Sequence, residues 1–398
     1  MFEGTKRMAD VVIVEAVRAP IGRRNGGLAA MHSIDLLAAV QREVIERAGV
    51  DPMEVGQVVG GCVGQVGMQT GNVTRTAWLN AGLPIEVAAT TVDTQCGSSQ
   101  QATNLAYALV AGGVVDSAIA CGIEIMSKVR MGSTVPKDPD SGKPVNKNYW
   151  KYHEYTSQFE GAERIAEKWG ITREQCDAFG KQSQDRAAAA WAEGRYDTQI
   201  VGIDAPVLGD DGKPTGSQRI VRDEGLRETS LEGLAALKPT GRPDGVHTAA
   251  SSSQISDGAG ALLLMTAEKA NRLGLRPLAR IVATCLAGSD PVLMLTGPIP
   301  ATQQLLAKSG LTIDEIDVVE INEAFASVVL AWQIETGADP ARVNPNGGAI
   351  ALGHPLGATG SILLTKALHE LIRTDGRYGL VTMCCGGGIG TGTIIERL

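Results

Sequence analysis

Apolar positions recur along the chain with two periods, and the order in which those periods occur repeats. In AVQREVIERAGVDPMEVGQVVGGCV (39–63) the apolar spacing predicts a helix, Ala-Gly stops it, an acidic turn follows, and a Val-rich run reads as a strand. PATQQLLAKSGLTIDEIDVVEINEA (300–324) gives the same succession and aligns with it without a gap. After Cys96, GSSQQATNLAYALVAGG carries Ala102, Leu105, Ala106, Leu109 and Val110 on one helix face. Gly112 and Gly113 end that helix, and VVDSAIACG reads as a short buried strand. After His354, PLGATGSILLTKALHELIRTDG predicts a second such helix ended by Gly, followed by the strand YGLVTMC and a Gly run. SDGAGALLLM (256–265) and GGIGTGTIIE (387–396) form a third echo. Three echoes in matching order predict two copies of one α/β unit facing each other, each presenting a reactive residue at a helix N-terminus.

A stretch of different character separates strands of the first copy. Residues 123–250 are polar and turn-rich (DPDSGKPVNKNYW, LGDDGKPTGSQR) and carry Trp150, Trp169 and Trp191, with helical segments in QFEGAERIAEKWG and EQCDAFGKQSQDRAAAAWAEG. An insertion of this length is expected to take part in binding. The division expected is 1–122 with 251–276 as the first half, 123–250 as the inserted loop domain, and 277–398 as the second half.

Composition narrows the class. The 398 residues suffice for two or three cores; 43% are apolar and 20% charged, the balance of a soluble globular protein, and 49 glycines suit tight loops between close-packed elements. A net charge of −8 argues against a nucleic-acid partner, while an anionic ligand can still be held by a local basic patch or a helix N-terminus. The seven cysteines are scattered, form no CxxC pair, and do not cluster with the five histidines at zinc-ligand spacing, so no metal is expected. MFEGTKRMADVVIVEAVRAP lacks the apolar core and cleavage site of a signal peptide, and no run of about 18 apolar residues occurs. A reduced cytoplasmic protein without membrane contact is expected.

Several residues could carry chemistry. Cys96, in TTVDTQCGSSQQA, sits where a β-rich run turns into a helix, where the macrodipole and free N–H groups favour a thiolate and an oxyanion; a buried structural cysteine would also fit. His354, flanked by glycines in NPNGGAIALGHPLGATG, holds in the second copy the place of Cys96 in the first, and a Cys–His pair is the minimal unit for making a nucleophilic thiolate. Cys384 precedes Gly386, Gly387 and Gly388, whose N–H groups are unobstructed, whereas Cys385 is expected to face the opposite way as a bystander. Asn322 and Glu323 follow a strand and open a helix, which allows an N-cap or a water-positioning role for Asn322. Ser253 begins the return from the insertion.

Together these segments resemble the thiolase family. QCGSSQQA is similar to its nucleophile motif, NEAFA stands unaltered, GGAIALGHPLGATG is close to its histidine motif, and MCCGGGIGTG resembles its second-cysteine motif. The resemblance runs through the whole chain in order. It implies a duplicated, layered α/β/α/β/α core of two five-stranded mixed sheets with a loop domain over the site. It also implies CoA-dependent thiolytic cleavage of a 3-ketoacyl-CoA through an acyl-cysteine. Cys96 would be acylated, His354 would take its proton, Cys384 would act as acid and base, and Asn322 would hold a water that completes one oxyanion hole with His354. The N–H groups of Cys96 and Gly386 would form the other. Ser253 and Ala249 match the loop at the pantetheine arm, and Arg227, across a one-residue gap, matches a basic residue near the CoA nucleotide. CoA is then a substrate, no cofactor is implied, and a homodimer or homotetramer is expected.

The sequence departs from the family pattern at three places. Ser99 stands where the family usually has Gly, expected to narrow or polarise the space beside Cys96. Cys385 replaces an aliphatic or small residue, and Gln158 falls where biosynthetic acetoacetyl-CoA enzymes carry a methionine. QFEGAERIA and RRNGGLAAMHSIDLL look more like actinobacterial degradative thiolases, some acting on bulky lipid or steroid side chains. The alternatives are a biosynthetic acetyl-CoA acetyltransferase and a non-catalytic acyl-CoA-binding protein.

Overall fold

The computed structural model describes residues 9–135, 138–209 and 211–398. The first eight residues of the N-terminal stretch read for a leader lie outside them, as do 136–137 and 210 in or beside the turn-rich insertion segments.

The duplication is visible in the strand order. The first unit runs Ala88–Val92, Gln57–Gly61, Ser117–Ile125, Ser256–Thr266, Val11–Arg18, with the first three strands parallel and the last two antiparallel. The second runs Val318–Ile321, Tyr378–Cys385, Ile389–Arg397, Ala279–Gly288 with the same alternation of directions. It has four full strands rather than five. The counterpart of the edge strand Ala88–Val92 is reduced to a single parallel bridge, Val319 to Val343. The two units also join edge to edge, where Val12 and Ile13 pair with Arg280 and Ala279.

Three apolar layers explain why the halves stay together. The helix Ser33–Ala48 packs Leu36, Leu37, Val40 and Val44 on the outer face of the first sheet. The helices Pro298–Ser309 and Ala326–Thr336 cover the outer face of the second through Ala301, Leu305, Val329 and Trp332. Between the sheets lie two central helices, Ser98–Ala111 and Thr359–Thr374, whose Ala102, Ala106, Val110, Leu364 and Leu368 share one core with both sheets. This is an α/β/α/β/α stack. Ser117–Ile125 is buried along its whole length, as a strand covered on both faces must be.

Local signals behave mostly as their chemistry dictates. Gln158–Trp169 stops at Gly170 in the left-handed region with φ 65°, and Arg173–Ala192 opens on a Thr172–Gln175 capping box. Thr359–Thr374 differs from expectation: Asp375, not Gly376, takes the left-handed position at φ 58°. The side chain of Asp375 is held there by Arg397 Nη2 at 2.6 Å. The segment between Ile125 and Ser256 adds a hairpin, Ile203–Leu208 with Pro214–Ile220, and is pinned to the core by the fully buried Arg18–Asp223 pair at 2.7 Å.

Candidate active site

Cys96 is held at a strained turn. Gln95 adopts φ 51°, Gly97 caps the helix Ser98–Ala111, and Cys96 therefore sits two residues ahead of the first helical residue. His354 lies further out, five residues before Thr359, with the turn Leu356–Ala358 between them. The expectation of a reactive residue at each helix N-terminus thus holds closely for Cys96 and not for His354.

The Cys96 sulfur receives the backbone N–H groups of Cys96 itself and of Gly386. Those donors favour a thiolate, but burial outweighs them and pushes the thiol up to about 11. Cys384 is the last residue but one of the strand Tyr378–Cys385, which leads to Gly386; burial raises its thiol well above the ordinary value, and the neighbouring Cys96 adds to the rise. Cys385 points to the other face of the strand, yet it is no remote bystander. The N–H of Gly97 reaches its sulfur, and a methyl group added at Gly97 would stand 2.5 Å from that sulfur. Cys385 therefore packs directly behind the nucleophile turn.

His354 is buried, which pushes its imidazole down to about 4. Thr359 Oγ1 donates to Pro355 O at 2.9 Å, so at the 2.6 Å contact with His354 Nδ1 it must accept. The proton is then on Nδ1, leaving Nε2 as a bare acceptor that receives Asn322 Nδ2 at 3.3 Å. Asn322 is not an N-cap: it lies between the strand ending at Ile321 and the helix opening at Ala326, and its Oδ1 is buried without a partner. An orphan buried acceptor of this kind suits a bound water or a substrate donor. Glu323 turns away and binds the histidine loop, accepting from Ser183 Oγ, Asn344 Nδ2 and Ile350 N.

Glu124 was not singled out by sequence, although it is the one acid in the apolar run SAIACGIEI. Its buried carboxylate accepts from Val63 N, Gly64 N and Gly357 N at 3.0 Å each and from Gln69 Nε2 at 2.7 Å. It thereby ties the turn after His354 to the first half. Glu124→Gln puts an amide N–H against these donors. The expected result is a loss of roughly 1–3 kcal/mol of stability in denaturant unfolding, with kcat/KM down about tenfold. An unchanged unfolding midpoint would dismiss this positioning role.

Ser99 does not reach toward Cys96. Its Oγ accepts Ser361 N at 2.9 Å and so links the two central helices. Arg227 and Ala250 line a cavity of about 270 Å³, separate from the one that opens on Cys96; Ala249 is exposed beside it. Ser253 N donates to Ala324 O at 3.0 Å, which sets its loop against the Asn322 turn. The main cavity, about 900 Å³, is lined by Cys96 and Gly386 at its floor and by Met126, Met131, Phe159 and Met294 along its walls. Gln158 lines it too, so the amide replaces the expected methionine inside the cavity.

Family models for the N-terminal and C-terminal domains of thiolase match residues 11–268 and 275–397. The chain belongs to the thiolase family. It is 47% identical to a steroid 3-ketoacyl-CoA thiolase of Mycobacterium tuberculosis over 98% of this chain and 95% of that protein. It is 40% identical to an acetyl-CoA acetyltransferase of Chromobacterium violaceum over 98% of this chain and 100% of that protein. The crystal structure of the Bacillus anthracis acetyl-CoA acetyltransferase superposes with a TM-score of 0.89 at 36% identity, covering 99% of this chain and 100% of that one. Among the described residues no group of three His, Cys, Asp or Glu is placed to hold a metal ion. No described helix is long and apolar enough to cross a membrane.

Proposed function

We propose that this thiolase cleaves 3-ketoacyl-CoA with CoA, releasing acetyl-CoA and a shortened acyl-CoA. The observation that carries the reading is the Cys96 sulfur, placed between two backbone N–H donors at the floor of a roomy cavity with Cys384 beside it. Cys96 attacks the 3-keto carbon while His354 Nε2 takes its proton. The C2–C3 bond breaks, its electron pair passes to C2 as the enolate of acetyl-CoA, and the Cys384 thiol protonates that carbon. The incoming CoA thiol gives its proton to the Cys384 thiolate and attacks the acyl carbonyl, and Cys96 leaves, recovering its proton from His354. The N–H pair of Cys96 and Gly386 serves as one oxyanion hole; His354 with a water on Asn322 serves as the other. Ser253, Ala249 and Arg227 are assigned to the CoA arm and nucleotide.

Gln158, in the cavity wall where biosynthetic acetoacetyl-CoA enzymes carry a methionine, favours degradation over the biosynthetic alternative. The similarity to a steroid 3-ketoacyl-CoA thiolase points the same way. The division at 122/123, 250/251 and 276/277, a homodimer or homotetramer, and a cytoplasmic location complete the proposal. A CoA-dependent cleavage assay on acetoacetyl, medium-chain, long-chain and steroid side-chain 3-ketoacyl-CoA tests it. Turnover confined to acetoacetyl-CoA establishes the biosynthetic alternative; binding without turnover on all four establishes a binding protein.

The resting thiol makes a separate prediction. With Cys96 pushed up to about 11, only about one molecule in 10⁴ holds a thiolate at pH 7. Alkylation of free enzyme by iodoacetamide is expected to climb about tenfold per pH unit from pH 7 to beyond 9. A plateau reached near pH 7 would show an ion pair with His354 instead.

A further inference from the structure

Three consecutive residues of the nucleophile turn each touch the end of the strand Tyr378–Cys385 or the glycine that follows it. The Cys96 sulfur accepts the Gly386 N–H, and the Gly97 N–H reaches the Cys385 sulfur. Gln95 supplies the third contact. A methyl group built on Gly386 would stand 3.2 Å from Gln95 Oε1, 3.3 Å from its Cγ and 3.5 Å from its Cδ, so this side chain lies over the Gly386 α-carbon. Such a cover matters because Gly386 is followed by Gly387 and Gly388, both in the left-handed region at φ 83° and 76°. A run of three glycines does little by itself to hold a peptide plane in one orientation. The next anchor, Ser289 N donating to Gly388 O at 2.7 Å, comes two residues further on.

Gln95 is itself held from both sides. Asp93 Oδ1 accepts its N–H at 2.7 Å, and its carbonyl accepts Ser98 Oγ at 2.6 Å and Ser98 N at 3.0 Å. A non-glycine residue at φ 51° persists only where its surroundings over-determine it, as these three bonds do. A backbone tied at both ends delivers its side chain to a fixed place. We infer that Gln95 is the positioning residue of the Gly386 N–H, holding that donor on the Cys96 sulfur in the free enzyme and on the oxyanion during turnover. The first half stands on the geometry of the turn, and the second rests on the thiolase reading. The contact is one of packing, made by the stem of the side chain, so a side chain of equal reach without an amide serves as well.

Gln95 also lines the main cavity, where its amide could instead meet the substrate, and the test separates the two roles. Gln95→Ala keeps the strained backbone and removes the atoms over Gly386; Gln95→Met keeps the reach and removes the amide. Gln95→Gly suits a positive φ and guards against a loss caused by unfolding, since it should unfold no earlier than the native enzyme. In 3-ketoacyl-CoA cleavage, the Ala and Gly variants are expected to lose about 10- to 100-fold in kcat, with KM within about twofold of native. Their Cys96 should also react with iodoacetamide about threefold or more slowly at each pH between about 7 and 9, because the thiolate has lost a donor. Gln95→Met should restore most of both. A raised KM with kcat unchanged would assign the amide to the substrate and overturn the inference. So would native kcat and alkylation in the Ala or Gly variant, or a Met variant as impaired as Ala. Alkylation needs no substrate, so it decides the positioning of Gly386 even if native enzyme cleaved no 3-ketoacyl-CoA, a result that would overturn the thiolase reading alone.

Discussion

Cys96→Ser is expected to lower CoA-dependent cleavage by roughly four orders of magnitude or more while leaving the fold intact. The exchange keeps a small side chain at a half-buried turn, so packing changes little. The chemistry changes completely. Burial already pushes the thiol up to about 11 despite the N–H groups of Cys96 and Gly386. An alcohol in the same place is far harder to deprotonate, and His354, pushed down to about 4, is a weak base for that task. Intact-protein mass spectrometry gives the complementary readout: native enzyme mixed with substrate without CoA should gain one acyl group, and the variant should gain none. Residual activity above about one hundredth of native would remove Cys96 from the nucleophile's place.

His354→Ala is expected to cost about 10²- to 10⁴-fold in kcat, the range of a general base. The loss should fall on acylation, and alkylation of Cys96 in the free enzyme should keep its native pH dependence, because that depends on the thiol and its two N–H donors. A milder variant checks the tautomer argument. Thr359→Val removes the acceptor that fixes the proton on Nδ1, so Nε2 no longer remains a bare acceptor in every molecule; about a tenfold loss of kcat with KM unchanged is expected. If alkylation and acylation fell together in His354→Ala, His354 would be acting on the resting thiol rather than in the transfer step.

The duplicated stack was legible because its signals are local. Apolar spacing, Gly stops and motif order are written within each segment of twenty-odd residues, and the strand order of the two units follows from their repetition. The reactive residues were legible through their glycine-rich surroundings. Glu124 was not: its importance lies in partners 55 to 233 positions away, which no window contains. Ser99 was misplaced for the same reason, since its partner Ser361 is 262 positions distant. Cys385 was misplaced because alternation along a strand says which face a side chain takes but not what that face meets; here it meets Gly97. Asn322 looked like a cap because the helix was expected to open early, and the extended Phe325 delays it to Ala326.

The crossing of the two central helices has a consequence for how such a site could arise. Gly360 lies so close to Gln100 that a methyl group there would stand 2.2 Å from its backbone nitrogen, and Ser99 meets Ser361 across the same seam. Two separate, identical polypeptides meeting at that seam would be bound to present identical side chains to each other, cysteine to cysteine or histidine to histidine. Writing both copies into one polypeptide frees each to change alone. Proton donor and proton acceptor can then face one another, and a single asymmetric workplace replaces two equivalent and chemically idle ones.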